Sequence, residues 1–148
     1  MTTKAAFTEQ EWDLISAGPP SAGTMVITAD RGGTVRETFE MAKVYAEARQ
    51  AHGDSELLDE LVSGKPQRDH THYHSLDELR QHGLQRLHEA VELLESKATP
   101  AEVEDYRRFI LTLAERVAKR HKEDDVDVSP AERKTIDEIT DALAGAPA

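Results

Sequence analysis

Three of the seven histidines of the chain, His70, His72 and His74, occupy alternate positions in the stretch RDHTHYHSLDE. In an extended backbone, alternate side chains point to the same side. Three neutral imidazole rings on one side of a loop could therefore bind one Zn²⁺, Ni²⁺ or Cu²⁺ ion. Asp69 and Asp77 are nearby carboxylates. The spacing suggests a metal-binding or metal-dependent protein, and a weaker hypothesis is a hydrolase whose metal keeps an open water position.

The same histidines also fit a solvated polar loop that leads into a helix capped by Ser75. Only Tyr73 and Pro66 could anchor that loop by apolar contacts, and ordering it costs about 1–2 kcal/mol per residue. His82 and His88 follow on the next helix, but they are six residues apart, whereas side chains four apart lie on one face. We favour the loop and keep the metal site as the alternative.

Two other stretches contain residue types that bind ions. One is the acidic run Glu123, Asp124, Asp125 and Asp127, which offers oxygen ligands but lacks the spacing of an EF-hand. The other is the glycine-rich turn ADRGGT at 29–34, whose N–H groups could hold an anion. We favour a solvated loop for the first and a helix end followed by a helix start for the second. No carboxylate pair or nucleophile motif stands out, so we expect no enzyme.

The composition indicates one acidic domain without thiol chemistry. The 148 residues should form a single domain over 1–148 with short disordered termini, and 38% hydrophobic residues suffice for a modest core. A net charge of −11 disfavours nucleic acid and anionic membranes as partners. The absence of cysteine excludes disulfides and thiolate metal sites. Without a segment resembling a signal peptide or a membrane span, the expected location is cytoplasmic.

Helix start signals recur along the chain. In a capping box, a Ser or Thr and a Glu three residues later each satisfy a free backbone N–H. Phe7 and Trp12 flank the first box at the positions of a hydrophobic staple, and the last two boxes place a proline at the first helical position. The five boxes are Thr8/Glu11, Thr34/Glu37, Ser75/Glu78, Thr99/Glu102 and Ser129/Glu132.

Apolar residues after these caps recur every three or four positions, the spacing of one-faced helices. The pattern predicts helices over about 34–51, 75–97, 100–121 and 130–144, with a shorter one at 54–64. Because the turn SKATP is short, the two long helices should form an antiparallel spine. The predicted buried stripes are Val35, Phe39, Ala42 and Ala46, with Met41 and Tyr45 alongside; Leu84, Leu87, Val91 and Leu94; Val103, Tyr106, Ile110, Leu113 and Val117; and Ile136, Ile139 and Leu143.

The stretch at 21–33 fits two structures. Residues 25–27 are apolar and could form a short buried strand, but the chain contains no second strand candidate to pair with it. We therefore predict a short buried helix that ends at Gly32 and Gly33. Loops are expected at 17–20, 64–74 and 122–128.

Three stretches in this order resemble a group of small, all-helical, actinobacterial-type bacterial proteins: FTEQEWDLISAGPPSAGTMVITADRGG, ESKATPAEVEDYRRFILTLAERVAKRHKE and VSPAERKTIDEITDAL. That group in turn distantly resembles the TerB-like tellurite-resistance domains. The resemblance implies a helical fold and a link to metal-associated stress responses through clustered acidic residues. Only Asp30 matches that pattern, without an assigned role, because the acidic cluster expected near the ADRGG turn is missing. KEDDVD replaces the glycine-rich stretch that precedes the last helix in relatives.

These observations together predict an all-α protein, a single compact bundle of about six or seven helices. The expected function is that of a non-enzymatic cytoplasmic domain that binds an unidentified protein partner or another copy of itself, with a role in stress response. No cofactor is expected. The alternative is a metal-binding protein that holds Zn²⁺ or another divalent metal at His70, His72 and His74.

Overall fold

The computed structural model describes residues 4–29, 35–51, 56–63, 75–121 and 130–144. In these residues the chain forms six α-helices and no β-strand. The helices are α1 (Glu9–Ala29), α2 (Val35–Ala51), α3 (Glu56–Val62), α4 (Leu76–Lys97), α5 (Pro100–His121) and α6 (Pro130–Leu143), and a 3₁₀ turn at Lys4–Ala6 precedes α1. The all-α prediction is confirmed, and residues 25–27 lie within α1.

Helix α1 begins as the sequence predicts. The Thr8 N–H donates to Glu11 Oε1 at 2.8 Å, and the Glu11 N–H donates to Thr8 Oγ1 at 3.1 Å. The rings of Phe7 and Trp12 lie 5.9 Å apart, centroid to centroid, and form the predicted staple across the cap. Local side chains therefore satisfy the first N–H groups and fix the direction in which the chain enters the helix.

The caps of α4 and α5 are confirmed by the same kind of bond. The Thr99 N–H donates to Glu102 Oε1 at 2.9 Å, and the Glu102 N–H donates to Thr99 Oγ1 at 3.2 Å. At α4 the Glu78 N–H donates to Ser75 Oγ at 3.1 Å. Helices α5 and α6 each begin at the predicted proline. The other two predicted caps, Thr34 and Ser129, lie outside the described residues.

Helix α1 continues through two adjacent prolines, Pro19 and Pro20. The loop predicted at 17–20 is therefore wrong. Residues 21–29 of the short helix predicted at 21–33 form the second half of α1. A proline inside a helix lacks an N–H and its ring crowds the carbonyl four residues earlier, so it usually kinks or ends the helix. For α1 to remain continuous through Pro19 and Pro20, it needs a contact from outside the local sequence.

That support comes from α5. Pro19 leaves the Ile15 carbonyl without its helical donor, because helical N–H groups pair with the carbonyl four residues earlier. The Tyr106 hydroxyl donates to this carbonyl at 2.8 Å in a buried environment. The approach is possible because residue 18 is glycine: a Cβ at Gly18 would lie 2.1 Å from the Tyr106 hydroxyl oxygen. A bond from another helix thus replaces the local one.

Most apolar side chains of the described residues form one core, and α1 occupies its centre. The stripes predicted for the later helices are buried as expected, apart from Leu84, which is half-buried. The largest fully buried apolar or aromatic side chains are Ile15, Tyr45, Leu57, Leu87, Leu94, Tyr106, Ile110, Leu113, Ile139 and Leu143. Burial of these side chains is the main driving force for the bundle.

The two long helices are not the main packing partners of one another. Helices α4 and α5 each contact α1 far more extensively than they contact one another. The predicted spine is therefore not confirmed, and α1 takes the central position. Only Ala98 and Thr99 separate the two long helices in the sequence.

The buried face of α2 confirms the prediction in part: Met41 and Tyr45 are buried as expected, but the alanines of the predicted stripe are not. Met41, Val44 and Tyr45 are buried, whereas Ala42 is exposed and Ala46 is half-buried. The predicted stripe gave the alanines the same weight as larger residues, but burial of larger apolar side chains stabilises the helix more. Helix α2 consequently directs its larger residues, rather than the alanines, toward the core. The side chains of the other two predicted residues, Val35 and Phe39, lie outside the described part of the chain.

Candidate functional site

The ion-binding candidates found in the sequence lie outside the described residues. They are the histidines His70, His72 and His74, the acidic residues Glu123, Asp124, Asp125 and Asp127, and the turn residues from Asp30 to Thr34. The metal site thus stays a prediction. The described chain resumes at Ser75, which caps α4 one residue after the last of these histidines, so the helix expected after them is present.

Within residues 4–29, 35–51, 56–63, 75–121 and 130–144, no three His, Asp or Glu side chains converge so that they could hold a metal ion. In this part of the chain, His88 on α4 lies next to an acidic side chain: its Nε2 is 2.8 Å from Glu92 Oε1. Its Nδ1 is buried and has no hydrogen-bond partner among the residues that the structure describes. The contact between His88 and Glu92 therefore joins successive turns of one helix.

An open groove runs between α5 and the C-terminal end of α6, with a volume of about 450 Å³. Six of its nine lining residues are exposed, two are half-buried and one is buried. The lining residues are Glu104, Arg107, Arg108, Leu111, Thr112, Glu115, Thr140, Leu143 and Ala144. This set is called the α5–α6 groove below.

The floor of the α5–α6 groove is apolar. Leu143 is buried, and Leu111 is half-buried and packs against the edge of the core. Hydroxyl groups lie beside this floor: Thr112 is exposed, and the Thr140 hydroxyl donates to the Ile136 carbonyl at 2.8 Å, which leaves its oxygen able to accept a further bond. The groove therefore combines two leucines with two hydroxyl groups.

The two arginines of the groove have different surroundings. Arg107 is held in place, because its Nε donates to the Leu143 carbonyl at 2.5 Å and its Nη2 lies 3.3 Å from Glu95 Oε1. It satisfies a carbonyl at the end of α6, where a positive charge also suits the helix dipole. Arg108 has a side chain that is 68% exposed, and its nearest carboxylate is Asp105 at 3.6 Å. Arg108 is thus the arginine that a bound partner could reach.

Two glutamates on the rim balance these arginines. Glu104 Oε2 lies 3.7 Å from Arg107 Nη1, and Glu115 Oε1 lies 3.9 Å from Arg133 Nη1. Two arginines and two glutamates make the lining nearly neutral, on a chain whose net charge is −11. A partner would meet less electrostatic repulsion from acidic groups here than elsewhere on such a chain.

A second polar cluster joins α2 to α5. Arg116 donates from Nε and Nη2 to Glu40 Oε1 at 3.0 and 2.6 Å, and from Nη1 to Glu47. The hydrogen bond from Arg116 lowers the pKa of Glu47, and the same bond raises the pKa of Arg116. Glu40 is buried between the two helices. This arrangement satisfies the charges of all three groups and stabilises the packing of α2 on α5.

The sequence interpretation missed the groove because all of its described lining residues except Leu143 lie outside the predicted stripes. Glu104, Arg108, Leu111 and Glu115 step by four, three and four residues, which places them on one face of α5. The available signal was Leu111, an apolar residue outside the predicted buried stripe. Single exposed leucines are common, however, so this signal alone does not indicate a site.

In the described part of the chain, no helix combines the length and apolar character needed to cross a bilayer. Comparison of the whole chain with protein-family models, with curated proteins and with solved structures finds no match. The resemblance to TerB-like domains therefore stays a prediction.

Proposed function

We propose that the chain is a non-enzymatic helical domain that binds a protein through the α5–α6 groove. The observation that carries the proposal is the position of Leu111, a half-buried leucine beside the exposed Arg108 in an open groove. The proposal includes the cytoplasmic location and the stress-related role expected from the sequence. It also includes an antiparallel arrangement of α4 and α5, because two residues connect them.

The mixed chemistry of the groove suits a non-permanent protein interface. Such interfaces are about as apolar as the remaining surface and are enriched in arginine at their centre. The predicted apolar stripes of α4, α5 and α6 are largely buried among the described residues, so these three stripes are not available to a permanent subunit. A partner would therefore place one apolar side chain on Leu111 and an acceptor group on Arg108, with modest affinity.

A second copy of the chain is the first partner to test. The mass in solution is measured by equilibrium sedimentation over a wide concentration range for the parent and for Leu111→Lys. Leu93→Lys is the matched control, because Leu93 is also a half-buried leucine but lies on α4 outside the groove. Self-association of the parent and control that is lost in Leu111→Lys supports the proposal, and equal loss in both variants contradicts it.

A parent that stays monomeric excludes self-association and leaves a different protein as the partner. A photo-crosslinking amino acid at Thr112, which is exposed in the groove, then reports on contacts inside cells. The matched position is Gln85, which is exposed on α4. A defined protein adduct that forms from Thr112 and competes with the unlabelled parent supports the groove. Equal adducts from both positions, or none from Thr112, contradict it.

The second candidate function is metal binding at His70, His72 and His74, and their alternate spacing supports it. The test compares the parent with a variant in which all three histidines are alanine, each melted with and without a chelator. A loop that holds no metal predicts nearly equal melting temperatures in all four samples. A genuine site predicts stoichiometric metal after dialysis and a large loss of stability on chelation in the parent alone, because metal stabilises the folded state that binds it.

A further inference from the structure

The middle of α1 lacks two of the backbone hydrogen bonds of a regular helix. Pro19 and Pro20 remove the N–H donors that would pair with the Ile15 and Ser16 carbonyls. The local sequence on its own favours a loop at 17–20. The Tyr106 hydroxyl, which pairs with the Ile15 carbonyl at 2.8 Å, is the contact that replaces one of these lost bonds.

The second half of α1 is held by very close packing. Ala22, Met25 and Val26 are buried there. A Cβ at Gly23 would lie 2.2 Å from Met41 Sδ and 3.1 Å from a methyl carbon of Leu113, so α2 and α5 both approach the backbone of this half closely. Close packing on several sides leaves this half little room to move.

The first half of α1 is held differently. Its buried side chains are Trp12 and Ile15. Its polar link to α4 is made by Lys97, whose Nζ lies 2.8 Å from Glu11 Oε1 and also 3.2 Å from the carbonyl oxygen of Ala6, just before the helix. Partly exposed ion pairs of this kind contribute little to stability. The bond from Tyr106 is therefore the main buried polar link between this half and α5.

We infer that Gly18, Pro19 and Pro20 form a hinge in α1 and that the bond from the Tyr106 hydroxyl to the Ile15 carbonyl is its latch. When the latch opens, the segment Glu9–Ala17 separates from α4 and α5 while the second half of α1 stays packed. A detached segment of this length does not remain helical in water, because isolated helices shorter than about 12–15 residues are marginal. Its backbone N–H groups consequently exchange with solvent during each opening.

Hydrogen exchange under native conditions, followed by mass spectrometry, tests the latch in the full chain. Tyr106→Phe removes one oxygen and leaves the Ile15 carbonyl buried without a donor. That loss corresponds to a rise of about 5- to 150-fold in the open population. Peptides from 9–17 should exchange faster by that factor, whereas peptides from α6 should keep the parent rate. Thr135→Val, which removes a buried hydroxyl group that bonds within α6, should leave 9–17 unchanged.

A proline replacement provides the second arm of the test. Pro19→Ala restores an N–H that can pair with the Ile15 carbonyl, so Tyr106→Phe should accelerate exchange much less in that background. The comparison in the Pro19→Ala background also applies if Tyr106→Phe does not fold in the parent chain. Uniform acceleration across all helices, an unchanged rate at 9–17, or an equal effect of Tyr106→Phe in both backgrounds would each overturn the latch.

Discussion

Truncation of Ile110 to alanine should lower the free energy of unfolding by roughly 2–5 kcal/mol. The side chain is fully buried in α5, and its Cδ1 would lie 3.5 Å from a Cβ at Gly18. Removing three carbons forfeits about 2.4 kcal/mol at roughly 0.8 kcal/mol per buried methylene. The remainder comes from the cavity. The neighbouring segment of α1 contains two rigid proline rings and already contacts Tyr106, so it cannot readily move in to fill the space.

Urea denaturation, followed by the helical circular dichroism signal, measures this loss. Two comparison variants on or next to α5 set the scale. Thr99→Ala removes the cap of α5 and should cost about 1 kcal/mol. Leu111→Ala truncates a half-buried leucine next to Ile110 and should cost less than Ile110→Ala. In a chain of this size each kcal/mol lowers the melting temperature by about 2–4 °C, so thermal melts should give the same order.

The order of the three losses in the free energy of unfolding decides the outcome. If Thr99→Ala or Leu111→Ala costs as much as Ile110→Ala, the assignment of the buried face of α5 is wrong. The dependence of free energy on urea concentration must also stay constant across the variants, because a change would mean that the unfolded state or the cooperativity of unfolding had changed.

Gly18→Ala should lower the melting temperature, although Gly-to-Ala changes inside helices normally stabilise by about 0.5–1 kcal/mol. The reason is the 2.1 Å approach to the Tyr106 hydroxyl; Gly83→Ala meets only a flexible methionine at 2.9 Å and should be milder in the same melts. Because Arg116 lowers the pKa of Glu47, their stabilising interaction is complete above the ordinary value of 4.5 and is lost as the pH falls through the lowered value. Urea midpoints of the parent and Glu47→Gln should therefore differ at neutral pH and converge in acid; a difference independent of pH would contradict this explanation.

Helix starts could be predicted from the sequence because a cap is a local device. The bonds between Thr8 and Glu11 and between Thr99 and Glu102 join residues three apart, so their spacing is visible without any knowledge of the fold. The positions of α4, α5 and α6 follow from such caps together with periodicity. Their stripes are long and rich in large aliphatic residues, so the predicted face is also the buried one.

The course of α1 could not be predicted in this way. Two adjacent prolines after Gly18 are a strong local signal for a loop, and the bond that overcomes it comes from Tyr106, far along the chain. In the sequence, Tyr106 is one member of an apolar stripe, and its hydroxyl gives no indication of its partner. The error at 17–20 therefore reflects a tertiary contact that prevails over local preference.

The face of α2 was predicted only in part: Met41 and Tyr45, named beside the stripe, are buried, but the stripe alanines Ala42 and Ala46 are not. Its apolar residues occupy positions on more than one side, so counting alone could not choose between Ala42 with Ala46 and Met41 with Tyr45. The structure buries the larger pair, in line with the greater area that those side chains remove from water. Weighting each position by side-chain size would have favoured the observed face.

The candidate groove depends on two helices from different parts of the sequence, and neither helix contains it alone. Leu111 belongs to α5 and Leu143 to α6, and the Arg107 bond to the Leu143 carbonyl joins the two at the floor. The described lining residues belong to α5, to α6 and to Ala144 directly after it, and none of them is a histidine. The two proposed functions can therefore be separated by mutation: Leu111→Lys should abolish partner binding without changing metal content, and replacement of the three histidines should have the opposite effect. If one variant abolished both, partner binding and metal binding would have to depend on one shared structure, and the proposal of an independent groove would be wrong.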